Sequence, residues 1–485
     1  MEIHEDEPDN VHLGPTVNLD DDDDVHHHLV DNPDIIYSEP EGSEDENTFQ
    51  AADGDSSDSD HSDQEGGQQA APDPPVNSQV HGMVAGQPSI PIAAIQERIS
   101  GELNYQVSYM KAWLVKQRAL AQVFGNWENS YNELPRWLGY MSSFSSGSHY
   151  YIYTDDYVGA DGLVDGSLRK FRRVFWTFKQ CCEAFNYCKP MIQIDDTFLY
   201  GRYKGTLLIA TTQDGNSNIL PIAFAVVEGE SLSSWSWFLR LIRQHITQKQ
   251  GICLISDRHA GIKAAVTNAR NGWQPPNAHH VYCIRHIASN FNHKFKNAKL
   301  KHELTSPAIQ AWIEGISREK WSLACDIDGR RFGHMTTNLA ESVNKVFKGA
   351  RNMPITALVK CTYARLVDYF VQRGIAARDQ LAARQVYCNK VMVALAKNHE
   401  KACAHIVRTY NVERTRFEVE EGFNQRTHRN GYRWSVRLDL GTCECGRFQA
   451  FKYPCDHVIA ACARQSINYY DFVDPVYKLE TVRDA

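Results

Sequence analysis

Four residues near the end of this 485-residue chain, Cys443, Cys445, Cys455 and His457, are spaced Cys-x-Cys-x9-Cys-x-His. Three thiolates and one imidazole suit tetrahedral zinc, and metal binding would fold a stretch too short to build its own core. A second chemistry is written in carboxylates. The apolar run 190–200 carries adjacent acids, Asp195 and Asp196, and the shorter run 252–257 stops on Asp257. Acids at strand ends can hold hard divalent cations such as Mg2+, which prefer oxygen donors. Two such ions close together cleave phosphodiesters, one activating the nucleophile and one stabilising the leaving oxygen. The plainer alternative for Asp257 is an ion pair with Arg258 or Lys263. A third set is Cys283-Ile284-Arg285-His286, preceded by His279-His280. Its Cys-x-x-His spacing can place thiolate and imidazole on one zinc, provided His280 and another residue complete the site. Otherwise Cys283 is a buried thiol with His286 packed nearby.

The elements that must position these groups follow from periodicity. Runs 204–210 and 219–228, rich in Leu, Ile, Val, Phe and Ala, flank the turn Gln213-Asp214-Gly215-Asn216, so 190–228 reads as a three-stranded meander. Residues 235–248 follow with Trp237, Phe238, Leu241 and Ile242 at helical spacing, then the strand 252–257. Upstream, Ile95, Ile99, Leu103, Val107, Met110 and Leu114 predict a largely helical 92–135. Residues 136–190 read as mixed α/β, with a strand over 150–153 and a helix over 170–188. Downstream, 354–400 reads as helical, with Leu358, Tyr363, Leu366, Val367 and Phe370 on its apolar face and Arg373, Arg378 and Arg384 outside.

Charge is unevenly placed. Residues 1–75 hold 24 of the 59 acids and no Lys or Arg, leaving 35 acids against 51 basic residues in the remainder. A basic body suggests a polyanionic partner, because Lys and Arg neutralise phosphates and release counterions. Residues 1–90 carry too little apolar surface to offset chain entropy and are expected to be disordered, with His26–His28 a solvated cluster. Thirteen cysteines without an apolar leader argue for a reducing compartment. No apolar run approaches the roughly 18 residues of a membrane span.

The run from Met191 to His286 resembles the catalytic core of Mutator-like (MULE) transposases. Ile194-Asp195-Asp196-Thr197-Phe198, Pro221-Ile222-Ala223-Phe224-Ala225, Ser234-Trp235-Ser236-Trp237-Phe238 and Ile255-Ser256-Asp257-Arg258 carry the likeness, in order. Tyr105–Trp113 is similar to the segment that joins the DNA-binding module of such proteins to the catalytic domain, yet no Cys/His pattern precedes Arg98. The Cys443–His457 set is similar to the SWIM zinc finger that follows the core in MULE proteins and in the related far-red-response transcription factors. The resemblance implies an RNase H-like α/β fold with a helical insertion and assigns Asp195, Asp257 and Glu341 as catalytic Mg2+ or Mn2+ ligands. Glu341 matches through Thr336-Thr337-Asn338-Leu339-Ala340-Glu341-Ser342-Val343-Asn344. From the residues alone it reads as a helix-capping or solvated acid, with Glu230 the fallback. Asp196 stands where the family has Gly, so it either replaces or assists Asp195. Residues 291–312 pass almost directly from Lys294-Phe295-Lys296 into the next helix, which shortens the insertion.

The expected organisation is an acidic tail (1–90), a helical and mixed lead-in (91–185), the transposase core (186–375), a helical linker (376–425), the zinc finger (426–470) and a C-terminal tail (471–485). The expected function is DNA cleavage and strand transfer at transposon ends by a nuclear, non-membrane protein that could self-associate. The alternative is a domesticated, non-enzymatic DNA-binding or transcription-regulating derivative with a structural finger, or an inactive relic.

Overall fold

The computed structural model describes residues 74–88, 90–103, 106–295, 307–411, 416–422 and 431–485. The acidic tail before residue 74 and the shortened stretch 296–306 lie outside them. The first described element is already a departure from expectation. Pro74–Gly86 is a helix (α1) inside the segment read as disordered, because Val80 and Val84 pack with Ile95, Ile99 and Leu120 of the next two helices, Ile92–Leu103 (α2) and Tyr109–Phe124 (α3). Composition averaged over 1–90 concealed this apolar edge. Trp127–Phe144 (α4) follows, N-capped by Asn126.

A seven-stranded sheet carries the rest. Its strands are β1 (His149–Val158), β2 (Val164–Thr177), β3 (Met191–Phe198), β4 (Thr206–Gln213), β5 (Ile219–Val227), β6 (Ile252–Ser256) and β7 (Ala278–Tyr282), in the order β1-β2-β5-β4-β3-β6-β7. β3, β4 and β5 form the antiparallel meander, while β6 and β7 join β3 in parallel. The helix expected over 170–188 is strand through Thr177 and helical only from Lys179 on. Val174, Phe175 and Trp176 pair with Val226, Ala225 and Phe224, and the helix is confined to Lys179–Ala184 (α5) and the 3-10 turn Phe185–Tyr187 that continues it. Burial on both faces makes this end of β2 continuously apolar, which periodicity cannot tell from a buried helix. Leu232–His245 (α6) starts from a capping box between Ser231 and Ser234 and buries Trp235, Phe238, Leu239 and Ile242.

Ala260–Thr267 (α7) links β6 to β7, and Ile284–Lys294 (α8), Pro307–Glu314 (α9), Asn338–Val346 (α10) and Ile355–Ala382 (α11) follow. Within α11 the apolar face is narrower than read. Val367 is exposed, and Arg373 turns inward, its guanidinium donating to the Ile219 carbonyl at 2.7 Å. After Asn389–Ala402 (α12), the expected helical linker gives way to strands, Ile406–Asn411 (β8) and Arg416–Glu420 (β9). These pair with Arg433–Arg437 (β10) and Thr442–Cys443 (β11) in a second, antiparallel sheet. Arg447–Phe451 (α13), Asp456–Arg464 (α14) and Leu479–Asp484 (α15) complete the chain.

The two sheets share a core. Met191, Cys253, Ile255 and Val281, from one face of the large sheet, pack in one cluster with Val436, Cys455, Val458 and Ile459. Two glycines permit backbone contact across this junction. A Cβ on Gly329, at φ +60°, would stand 1.6 Å from the Gln449 carbonyl oxygen, and one on Gly215 would stand 1.9 Å from that of Val476. Gly329→Val is therefore expected to cost about 3 kcal/mol in a denaturant titration. A loss within 0.5 kcal/mol of zero, about the scatter of neutral surface changes, would show that the junction yields.

Candidate metal centres

The C-terminal set closes on a point. The β10–β11 hairpin delivers Cys443, a turn through Gly446 at φ +72° delivers Cys445, and Cys455 and His457 stand at the start of α14. Cys443 Sγ lies 3.6 Å from His457 Nδ1, Cys445 Sγ 3.6 Å from Cys455 Sγ, and Cys455 Sγ 3.9 Å from His457 Nδ1. Tetrahedral zinc at ordinary bond lengths requires ligand separations of about 3.5–3.8 Å. All four ligand atoms lie within 4.8 Å of one another. The other ring nitrogen, Nε2, is held 3.0 Å from Glu421 Oε1, which also accepts from Trp434 Nε1 at 2.9 Å. That carboxylate orients the ring and leaves Nδ1 for metal.

Electrostatics supports the same occupant. The Cys443 thiol, hydrogen-bonded to Cys445, is pushed up to about 12, whereas the same contact holds the Cys445 thiol far below its ordinary value. Burial and then the neighbouring thiols push Cys455 up. Three sulfurs this close cannot all ionise alone, and a divalent cation removes the conflict. His405 and Asp456 form a second set with His457, but Asp456 is ion-paired with Arg447 at 2.9 Å, so this set supports the first.

The acids meet at the carboxyl end of β3 and β6. Gln193 pairs with Ile255 in the parallel ladder, and Asp195 and Asp257 each come two residues later, Asp257 just past the end of β6, close enough that its charge acts on Asp195. α10 is pinned to β3: its Leu339 N–H donates to Gln193 Oε1 and its Asn344 Nδ2 to Asp195 Oδ2, both at 3.1 Å. Glu341 stands in the first turn of α10, ion-paired with Arg285. Asp257 accepts from the His259 N–H at 3.0 Å rather than pairing with Arg258, whose guanidinium lies over the Trp312 ring. Burial, then Asp196, then Glu341 and Asp257 raise the Asp195 carboxyl well above the usual range, against the pull of His286. Asp196 is raised by burial, then by Glu230 and Asp257.

This crowd of carboxylates, opposing one another's ionisation, suits an oxygen-seeking divalent cation. Its members feel one another's charge without closing on a point. Among the described residues, the sets of three or more ligand atoms within 4.8 Å are those around His457 alone.

Among the described residues, Cys283 and His286 do not gather the zinc set considered from their spacing: no third ligand joins them, and His280 is engaged elsewhere, its Nε2 2.8 Å from Ser256 Oγ. Cys283 Sγ instead accepts from the Thr337 N–H at 3.3 Å. Burial pushes this thiol up, but the His286 imidazole and Thr337 outweigh it and leave the thiol at about 7. Burial likewise lowers His286, and the Cys283 thiol, Asp195 and Asp257 overcome it to set the imidazole at about 9. The pair thus presents a cationic imidazole to the acids.

Glu230, first a fallback ligand, joins the acid cluster in its own right. Its Oε1 lies 3.0 Å from Trp235 Nε1 and 3.1 Å from His259 Nδ1, and burial followed by Asp257 raises its carboxyl to about 7. An acid whose folded pKa stands above its unfolded one stabilises the fold only at low pH. That contribution is full below 4.5 and lost as pH rises through about 7. Glu230→Gln in magnesium-free buffer is therefore expected to be more stable than wild type at pH 8, by on the order of 1–3 kcal/mol. Denaturant titrations should show the gap narrowing toward pH 5; a gap independent of pH would contradict the assignment.

Gln193, Arg285, Asn344 and Glu421 escaped the reading of the sequence as supporting residues. Gln193 and Asn344 left a signal, lying at i−2 from Asp195 on a strand and at i+3 from Glu341 on a helix. Glu421 left none, being 36 residues from His457.

Two known families match parts of the chain. Residues 191–290 match the model of the MULE transposase domain, and residues 434–465 match that of the SWIM zinc finger. No curated protein matches the chain.

Proposed function

From a chain that carries a MULE transposase domain with a SWIM zinc finger behind it, we propose a Mutator-like DNA transposase whose RNase H-like core cleaves and joins DNA in the nucleus. The observation that supports this reading is that Asp195 and Asp257 each come two residues past a paired position of adjacent parallel strands and act on each other's charge, with the helix of Glu341 pinned to Asp195 through Asn344. Magnesium or manganese, held by Asp195, Asp257 and Glu341, would activate water and then a DNA 3′ hydroxyl, and would stabilise the leaving oxygen. Asn344 orients Asp195, Gln193 seats α10, and the His286 imidazolium offsets part of the negative charge. The surplus of Lys and Arg outside the acidic tail supplies phosphate contacts.

The test is metal-dependent nicking of duplex DNA carrying the element's inverted-repeat ends, wild type against Asp257→Ala. Product above the variant's level supports the reading, and equal product defeats it. Arg285 favours a second reading, because its guanidinium occupies Glu341 as a cation would. In that case the chain is a domesticated DNA-binding regulator. Such a protein would retain DNA without magnesium and never nick it.

A further inference from the structure

A long helix leaves one flank bare. α11 buries its first half and is flanked by α4 and α15, yet Val367, Val371 and Ile375 are 40 %, 49 % and 44 % exposed at successive steps of four, and Ala364 and Ala382 extend the same exposed face. Steps of four trace a narrow stripe along a helix, here about 27 Å long. α4 widens the patch. Thr356 N–H donates to Ser130 Oγ, and Trp137 packs edge-on against Tyr363 at 6.1 Å, the same sequence offset at both contacts. That register sets Tyr140 and Phe144, stacked at 6.0 Å and 66 % and 73 % exposed, level with 366–370. Exposed apolar side chains gathered on two neighbouring helices mark a docking site rather than a solvated face.

We propose that the occupant is a second copy of this chain, packed antiparallel through α11 about a two-fold axis beside residue 373. An isologous contact must be self-complementary, and this face is. The axis sets Val371 against the partner's Ile375, Ala364 against the partner's Ala382, and Asp368 against the partner's Arg378. Among the described residues neither Asp368 nor Arg378 is ion-paired, and Arg378 donates to the Gly374 carbonyl one turn back. DNA would call for a uniformly basic face, whereas Arg365, Asp368, Arg378 and Asp379 balance one another.

Sedimentation velocity of the zinc-loaded full chain tests this. The wild type should sediment as a dimer at micromolar concentration. Val371→Glu, an exposed position, should weaken association roughly 30-fold or more. Asp368→Arg and Arg378→Asp should each weaken it, and the double exchange should restore it, with zinc content and circular dichroism unchanged throughout. A wild type that stays monomeric at high micromolar concentration overturns the proposal, as does a double exchange weaker than either single change.

Discussion

Cys455→Ser is expected to strip about one equivalent of zinc from the purified chain and to melt the module that follows α11, the largest stability change any single substitution here should cause. Structural zinc in small fingers is worth roughly 10–16 kcal/mol of apparent folding free energy at pH 7. In this chain the loss would not stay local. Cys455 caps α14, whose Val458 and Ile459 lie in one core with Met191, Cys253 and Ile255 of the large sheet. Releasing the metal leaves three thiols and an imidazole buried against one another, and only one of the thiols can readily ionise. Metal analysis together with circular dichroism reads the effect, and a strong chelator should reproduce it. Cys462→Ser is the control, since Cys462 is buried in the same helix but lies outside the ligand set. Equal zinc in wild type and Cys455→Ser would remove the assignment.

Asp195→Asn should lower DNA nicking by roughly 1,000-fold, a loss typical of removing one group that stabilises transition-state charge. Asp196→Asn should cost much less. The two neighbours point to opposite faces of β3. Asp195 shares its face with Gln193, which α10 contacts, and lies on the side of Asp257 and Glu341. Asp196 follows Ile192 and Ile194, which belong to the other core, and feels Glu230 more than Glu341. Amide replacement keeps shape and removes charge, so binding of uncleaved DNA should survive in both variants. An Asp196→Asn chain as inactive as Asp195→Asn would shift the first metal-ligand role onto the pair. Full activity in Asp195→Asn would defeat the carboxylate mechanism.

The sequence by itself determined the zinc ligands, because all four fall within fifteen consecutive residues, 443–457, and local spacing alone sets their approach. It also determined the meander and the strand ending before Asp257, where apolar runs stop abruptly on acids or turn residues. Only the tertiary structure decided which of Asp195 and Asp196 faces α10, since alternation has no sign until a helix packs on one side. It also made β2 a strand and turned Arg373 inward while leaving Val367 outside. A helical stripe reads the same whether a neighbour covers it or not. Glu421 behind His457 and Asn344 beside Asp195 belong to the same class. Each meets its partner through folding of distant segments, and no pattern within a short window encodes such a contact.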